Sequence, residues 1–311
     1  MKKICVSGLN PAWQKTMLFQ HFTRGAVNRA SKVSLLASGK GINFARAAKF
    51  WGSADANVFQ FVAGETGKNI KNGLWEEQIG NVSVETPGTT RVCLTAVSVD
   101  DSVSTELIEP SPEVPPEAAG ELLSLFLGAI RIADALAICG TAPKGINEYF
   151  YAELVRQARK NGKFILLDTC MYVQTPLEEG ADMLKINRDE LFGLTGENDI
   201  LSAFRTCFQK YKIKYVAITD GPDKALFSDG KKLFRIDIPV LEKVTNPIGC
   251  GDTCSAVTLS CILDGMTPLE AFRQGLAAAT ANCLTELPAF YDKKTALGFL
   301  PQLTVTETSL F

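Results

Sequence analysis

At 311 residues the chain is long enough to bury a sizeable core and lies within the range of one large α/β domain. Lys and Arg number 32 against 34 Asp and Glu, which excludes the strong single-sign field that favours nucleic acid or an anionic membrane and leaves a small molecule as the default partner. Nine cysteines, odd in number and scattered from Cys5 to Cys283, read as reduced buried thiols; the single histidine, His21, leaves few schemes with a His base and too few ligands for zinc at Cys250 and Cys254.

Met1-Lys2-Lys3 leads into a strand, not into a signal-peptide core, and apolar runs such as Phe164-Ile165-Leu166-Leu167 are too short to span a bilayer. A cytoplasmic protein is expected. Ser31 to Leu36 and Thr90 to Val99 alternate polar and apolar side chains, which predicts half-buried antiparallel strands in a small sheet apart from the main layer. Glu109 to Pro116 holds four prolines and marks the return into the body. From about residue 118 the pattern turns to strand and helix in alternation: helix from Glu121 to Ala133, strand from Ala135 to Cys139, helix from Asn147 to Lys160, strand from Phe164 to Leu167. Further strands at Met183 to Ile186 and Tyr215 to Ile218 are separated by helical stretches around Glu190 and Ala203. This is the rhythm of a doubly wound, mostly parallel α/β sheet with helices on both faces. Such sheets bind ligands beyond the carboxyl ends of their strands. Gly140-Thr141, Asp168-Thr169, Asn187-Arg188-Asp189-Glu190 and Thr219-Asp220-Gly221 all fall at that rim.

The chemistry concentrates in Asn246-Pro247-Ile248-Gly249-Cys250-Gly251-Asp252. Val244-Thr245 end a strand-like run, and Thr253 to Asp264 is apolar at helical spacing until Gly265, so the expected unit is strand, glycine turn, helix. Glycines there let successive N–H groups converge at a helix start, which makes an anion hole. A carboxylate beside that hole can take the proton of an attacking hydroxyl while the amides of Gly249, Cys250 and Gly251 stabilise a transferring phosphoryl group. Asp252 sits at that place, although a helix cap is the plainer reading of the four residues alone.

The longer context resembles the PfkB, ribokinase-like family of carbohydrate kinases, whose second signature matches from Asn246 through Gly251-Asp252 to Ala256. Ser38-Gly39-Lys40-Gly41-Ile42-Asn43-Phe44-Ala45-Arg46 is similar to its first signature, and Lys185-Ile186-Asn187-Arg188-Asp189-Glu190-Leu191 to its Lys-Pro-Asn-x-x-Glu-Leu segment. Thr105 to Pro112 and Gly140 to Gly145 resemble the 1-phosphofructokinase and tagatose-6-phosphate kinase branch. The resemblance runs from Leu9-Asn10-Pro11 to Asn282. It implies one ribokinase-like domain over 1–311 with a small β-sheet lid from about 10–36 and 88–110, and a homodimer formed through that lid. It also implies ATP and Mg²⁺, with Asp252 as base. Asn187 and Glu190 would organise the Mg²⁺-bound phosphates, Glu190 through water, and Lys185, Thr219, Gly221 and Asn282 would stand on the nucleotide side. Gly39, Lys40, Asn43, Arg91 and Thr141 would meet the acceptor, with Arg29 behind them. Asn187 and Glu190 also suit a plain helix start, and Lys40 and Arg91 could be ordinary solvated charges.

The chain departs from the branch at four positions. Gln14 stands where an Asp accepts sugar hydroxyls, a loss of about 1 to 2 kcal/mol of charge-assisted bonding; Trp13 beside it adds bulk or a stacking face. Cys93 replaces Asn, and Cys250 replaces Ala or Ser, either as a packing residue or as a thiol whose pKa a helix N-terminus lowers. No Gly-x-x-x-x-Gly-Lys-Ser/Thr occurs, since Gly39-Lys40, Gly67-Lys68 and Gly230-Lys231 are followed by Gly41, Asn69 and Lys232. No Gly-x-Gly-x-x-Gly follows the first strand, against a dehydrogenase. The expected activity is transfer from MgATP to a phosphorylated ketohexose. A kinase of an unphosphorylated sugar or nucleoside, and a non-catalytic sugar- or nucleotide-binding regulator, are the alternatives.

Overall fold

The computed structural model describes residues 1–100, 103–222 and 224–310. The chain begins with β1 (Lys2–Ser7), β2 (Ala12–Phe19) and β3 (Lys32–Ser38), continues through α1 (Lys40–Trp51), β4 (Ala54–Val62) and α2 (Gly64–Glu76), and reaches β5 (Asn81–Glu85), β6 (Val92–Ser98) and β7 (Val103–Ile108). After α3 (Pro116–Ile132) strands and helices alternate: β8 (Ala135–Cys139), α4 (Glu148–Lys160), β9 (Phe164–Asp168), α5 (Gln174–Glu179), β10 (Ala181–Asn187), α6 (Arg188–Thr195), α7 (Ile200–Lys210) and β11 (Ile213–Asp220). The last elements are β12 (Lys224–Ser228), β13 (Lys232–Asp237), α8 (Cys250–Leu263), α9 (Pro268–Asn282), α10 (Lys293–Phe299) and β14 (Thr304–Ser309).

The main sheet has the order β14-β13-β12-β11-β10-β9-β8-β1-β4-β5. It is parallel from β5 to β11 and antiparallel from β11 to β14. Both faces are covered. Phe44 of α1, Val257 of α8 and Phe272 of α9 pack on one, and Phe126 of α3, Leu154 of α4 and Phe204 of α7 on the other. Double coverage explains why β8 and β9 read as continuous apolar runs. Ile4 and Val6 of β1 join the first cluster while Cys5 between them joins the second, as the period of a strand requires.

The smaller sheet has the order β3-β2-β6-β7. Antiparallel pairing, the expectation, holds for β2 with β3 and β6 with β7, but β2 and β6 lie parallel where the two pairs meet. The cause is topological: β2 follows β1 and β6 follows β5, two parallel strands that deliver the chain to the same rim. Gln14, Thr16 and Thr95 are buried on its inner face. The strand expected at Val244-Thr245 does not form. The Thr245 and Asn246 amides donate to the Cys283 carbonyl at the end of α9 instead of to a neighbouring strand, so the turn before α8 is entered from a loop. Among the described residues no helix is long and apolar enough to cross a membrane.

Candidate active site

The carboxyl ends of β1, β8, β9, β10 and β11 open into a cleft of about 650 Å³ whose far wall is the smaller sheet. Gly8, at the end of β1, lets α1 begin against it: a Cβ on Gly41 would lie 2.4 Å from Gly8 Cα. At the opposite wall the turn before α8 is braced by Asn246, whose Oδ1 accepts from Ile248 N (2.9 Å) and whose Nδ2 donates to Glu286 O (2.8 Å). Gly249, at φ +80°, caps the helix, and a Cβ there would lie 2.8 Å from Ala289 N. The first amides of a helix have no partner within it, so this turn presents N–H groups to the cleft.

Asp252 stands in the first turn of α8, 7% exposed, and accepts a hydrogen bond from Asn43 Nδ2 at 2.8 Å. Burial pushes its carboxyl up to about 6; Asp168 pushes the same way, while Lys40, the Asn43 bond and Lys185 oppose. A carboxylate with that pKa is ionised at neutral pH yet basic enough to accept a proton from a hydroxyl.

Asp168 carries no role in the sequence reading beyond its place at the rim, but it is the hub of the site. Its carboxylate receives Ser255 Oγ at 2.5 Å and faces two ammonium groups, Lys40 Nζ at 3.3 Å and Lys185 Nζ at 3.5 Å. Burial opposes its ionisation, yet Lys185, Lys40 and Ser255 hold it below the usual carboxylate range. Asp168 in turn raises the pKa of Lys40, against burial. Lys185 is pulled down by burial and lifted above its ordinary value by Asp168; it also donates to Gly251 O at 3.0 Å, tying β10 to the helix start.

Asn187 and Glu190, after β10, form a reciprocal capping box at the start of α6: Glu190 N donates to Asn187 Oδ1 (2.8 Å) and Asn187 N to Glu190 Oε2 (2.9 Å). The plain helix-start reading is therefore satisfied, and both residues also line the cleft with Thr219. Gly221 lies beyond that cleft, on an apolar recess of about 480 Å³ walled by Ile238, Val240, Leu241, Leu276 and Ala279. Asn282, expected on the nucleotide side, lines neither cavity: it is fully buried and braces the turn before α8, with Nδ2 donating to Ile248 O (3.1 Å) and Cys250 Sγ (3.0 Å).

Of the two readings of Cys250, the structure fits the packing residue and not the helix-start thiolate. Its Sγ lies 3.1 Å from Cys283 Sγ, and that hydrogen bond together with burial raises its pKa well above the ordinary value, whereas the same contact lowers that of Cys283.

The residues expected to meet the acceptor, Gln14, Gly39, Lys40, Asn43, Arg91 and Thr141, all line the cleft. Gln14 Nε2 donates to Thr95 Oγ1 (2.7 Å), and Asn10 Nδ2 to Thr141 Oγ1 (3.0 Å). Arg91 is held by the Asn10 and Pro11 carbonyls at 2.9 and 3.3 Å. Glu106 and Ile108 of β7 close this end, a contribution that nothing in their alternation singled out. Arg29 is exposed in the connection between β2 and β3 and does not line the cleft; no fixed element carries it there.

The model of the pfkB family of carbohydrate kinases matches residues 1–293. Tagatose-6-phosphate kinase of Staphylococcus epidermidis is 27% identical over 289 residues, covering 89% of this chain and 91% of that protein. Among solved structures, phosphofructokinase-2 of Escherichia coli in complex with substrates and products superposes with a TM-score of 0.87 at 21% identity, covering 97% of this chain and 99% of that one. A possible 1-phosphofructokinase of Thermotoga maritima superposes with a TM-score of 0.88 at 22% identity, covering 98% and 99%. With a buried carboxylate at a glycine-opened helix start and a family match over most of its length, the chain belongs to the pfkB family of carbohydrate kinases.

Proposed function

We propose that this ATP-dependent sugar kinase phosphorylates a hydroxyl of a phosphorylated ketohexose. The observation that carries the reading is the meeting, in one cleft, of the buried Asp252 carboxylate, the helix-start amides and the cations Lys40, Lys185 and Arg91. Asp252 takes the proton of the acceptor hydroxyl as the hydroxyl oxygen bonds to the γ-phosphorus and the bond to ADP breaks; the amides of Gly249, Gly251 and Asp252 receive the charge on the transferring group, that of Cys250 being turned to Pro247 O (3.3 Å). Lys185, fixed between Asp168 and Gly251, adds a cation on the nucleotide side. The apolar recess beside Gly221 suits the base of the nucleotide. Lys40 and Arg91 meet the phosphate already on the sugar. Gln14 engages Thr95 through its nitrogen and offers its carbonyl oxygen to a sugar hydroxyl.

Among the described residues no three His, Cys, Asp or Glu side chains gather into a metal cage. That suits Mg²⁺, which keeps waters and phosphate oxygens and asks the protein for one or two carboxylates; Glu190, on the cleft wall, fits as a carboxylate acting through water. When bound, the ion neutralises charge on the phosphates.

Turnover of ATP is expected with one or more of fructose 1-phosphate, fructose 6-phosphate and tagatose 6-phosphate, and Lys40→Ala or Arg91→Ala should raise KM for that acceptor about tenfold or more. Equal turnover of unphosphorylated sugars, with KM unmoved in both variants, would instead favour the simpler-sugar kinase.

The smaller sheet acts in this reading as a lid that excludes water, and as the contact between two copies. In support, Val33, Leu35 and Leu107 share its outer face by register and are each at least half exposed. Leu35→Glu is expected to convert a dimer to monomers in sedimentation analysis; a monomeric wild type ends the idea.

A further inference from the structure

Arg46 of α1 is 1% exposed, and its five N–H donors all find partners. Nε and Nη2 grip the two oxygens of Glu77, and Nη2 also donates to Ala37 O at 2.7 Å. Nη1 donates to Asn43 Oδ1 at 3.2 Å and to Pro288 O at 3.5 Å. Asn43, three residues earlier on the same helix, receives a second bond at that oxygen from Ser38 Oγ at 3.0 Å. With its carbonyl side fixed by two donors, the Asn43 amide has one orientation left: Nδ2 turns to Asp252 Oδ2 at 2.8 Å. The flipped amide would set its NH₂ against the guanidinium and its oxygen against a carboxylate.

We propose that Arg46, anchored by Glu77, is a positioning residue for phosphoryl transfer: it fixes the amide of Asn43, so that Asn43 holds one oxygen of Asp252 and leaves the other for the acceptor hydroxyl. The relay reaches the reacting carboxylate from Glu77 at the end of α2, outside the residues that line the cleft. It rests on Asp252 being the base. The other groups facing Asp252 are Lys40 from α1, Asp168 from the end of β9 and Lys185 from β10, none of which touches Arg46 in the bonds above.

The test is the pH profile of kcat/KM for Arg46→Lys, which keeps a cation beside Glu77 but cannot reproduce the planar fork that also reaches Asn43. Expected are a kcat about tenfold lower, KM for ATP within about twofold, and an acidic limb displaced upward by about half a unit or more, because Asp252 loses a bond made to its charged form. Asn43→Leu should displace the limb likewise, and the double variant no further, as members of one network behave. A purely structural defect would lower Tm and leave the limb in place. A wild-type limb in folded Arg46→Lys, or a displacement that adds to that of Asn43→Leu, overturns the relay. Should Arg46→Lys fail to fold, Glu77→Gln at the partly exposed end reads the same effect at smaller size, and an unchanged profile there overturns it too. Asp252→Asn separates the two claims: retained turnover defeats the base, whereas loss of turnover beside a wild-type Arg46→Lys profile defeats only the relay.

Discussion

Asp252→Asn is expected to lower kcat by about 10²-fold to 10⁴-fold while KM for ATP changes by no more than about threefold. The substitution keeps the shape of the side chain and an oxygen for Asn43 Nδ2, and it leaves the amides of the turn untouched. What it removes is the capacity to accept a proton. In the wild type, with the carboxyl at about 6, activity should fall as pH drops through that value. Stability should move the other way. A carboxyl whose pKa rises on folding holds its proton more tightly in the native state, so wild-type stability falls as pH climbs from the unfolded value of 3.8 to about 6 and is flat above. Asn at 252 carries no such penalty, and the variant should be the more stable protein at pH 8, by at most about 3 kcal/mol, with the difference gone below about pH 4. Thermal unfolding of both proteins at pH 8 and pH 4 checks the sign. Near-normal turnover of the variant would remove Asp252 from its role.

The parts of the fold that announce themselves are those whose residues answer to one local cause. Ala135 to Cys139 and Phe164 to Leu167 are buried on both faces, and an uninterrupted apolar run is what that demands, so the first polar residues after them fall at the rim. Asn147 and Gly39 open helices for equally local reasons. The edge formed by β12, β13 and β14 gives no such signal. Its strands are only five or six residues long, and β14, exposed throughout and carrying Thr304, Thr306 and Thr308, meets its partner from about seventy residues further on. Val244 and Thr245 have the side chains of a strand, yet their neighbourhood offers a helix end. The site divides the same way. Asp252 and Asn187 lie within contiguous motifs, whereas the link from Arg46 to Glu77 crosses 31 positions and the contact of Cys250 with Cys283 crosses 33. Distances of that kind belong to the folded chain.

Asp168 is the extreme case, because its neighbours come from positions 40, 185 and 255, and Asp168→Asn carries the second large effect. Removing one member of a buried ion cluster leaves an uncompensated charge, at a cost of about 3 to 5 kcal/mol. Lys40, 40% exposed at its side chain, can swing toward water; Lys185, at 5%, cannot. Most of the penalty therefore falls on Lys185, whose remaining partner is Gly251 O. Because that bond ties β10 to the turn that carries the proposed base, the damage should reach the chemistry as well as the fold. The electrostatic consequence for Asp252 has a definite sign. Burial and Asp168 push the Asp252 carboxyl up, while Lys40 and Lys185 push it down, so without Asp168 burial alone opposes the cations, of which Lys185 stays in place. The acidic limb of kcat/KM should then move to lower pH, opposite to the displacement expected for Arg46→Lys, and the weaker base should give a lower plateau. Denaturant unfolding and a pH profile of the same variant measure both effects. A stability loss under about 1 kcal/mol would show that Lys185 is not held by Asp168. An upward displacement of the limb would show that the two lysines do not act on Asp252.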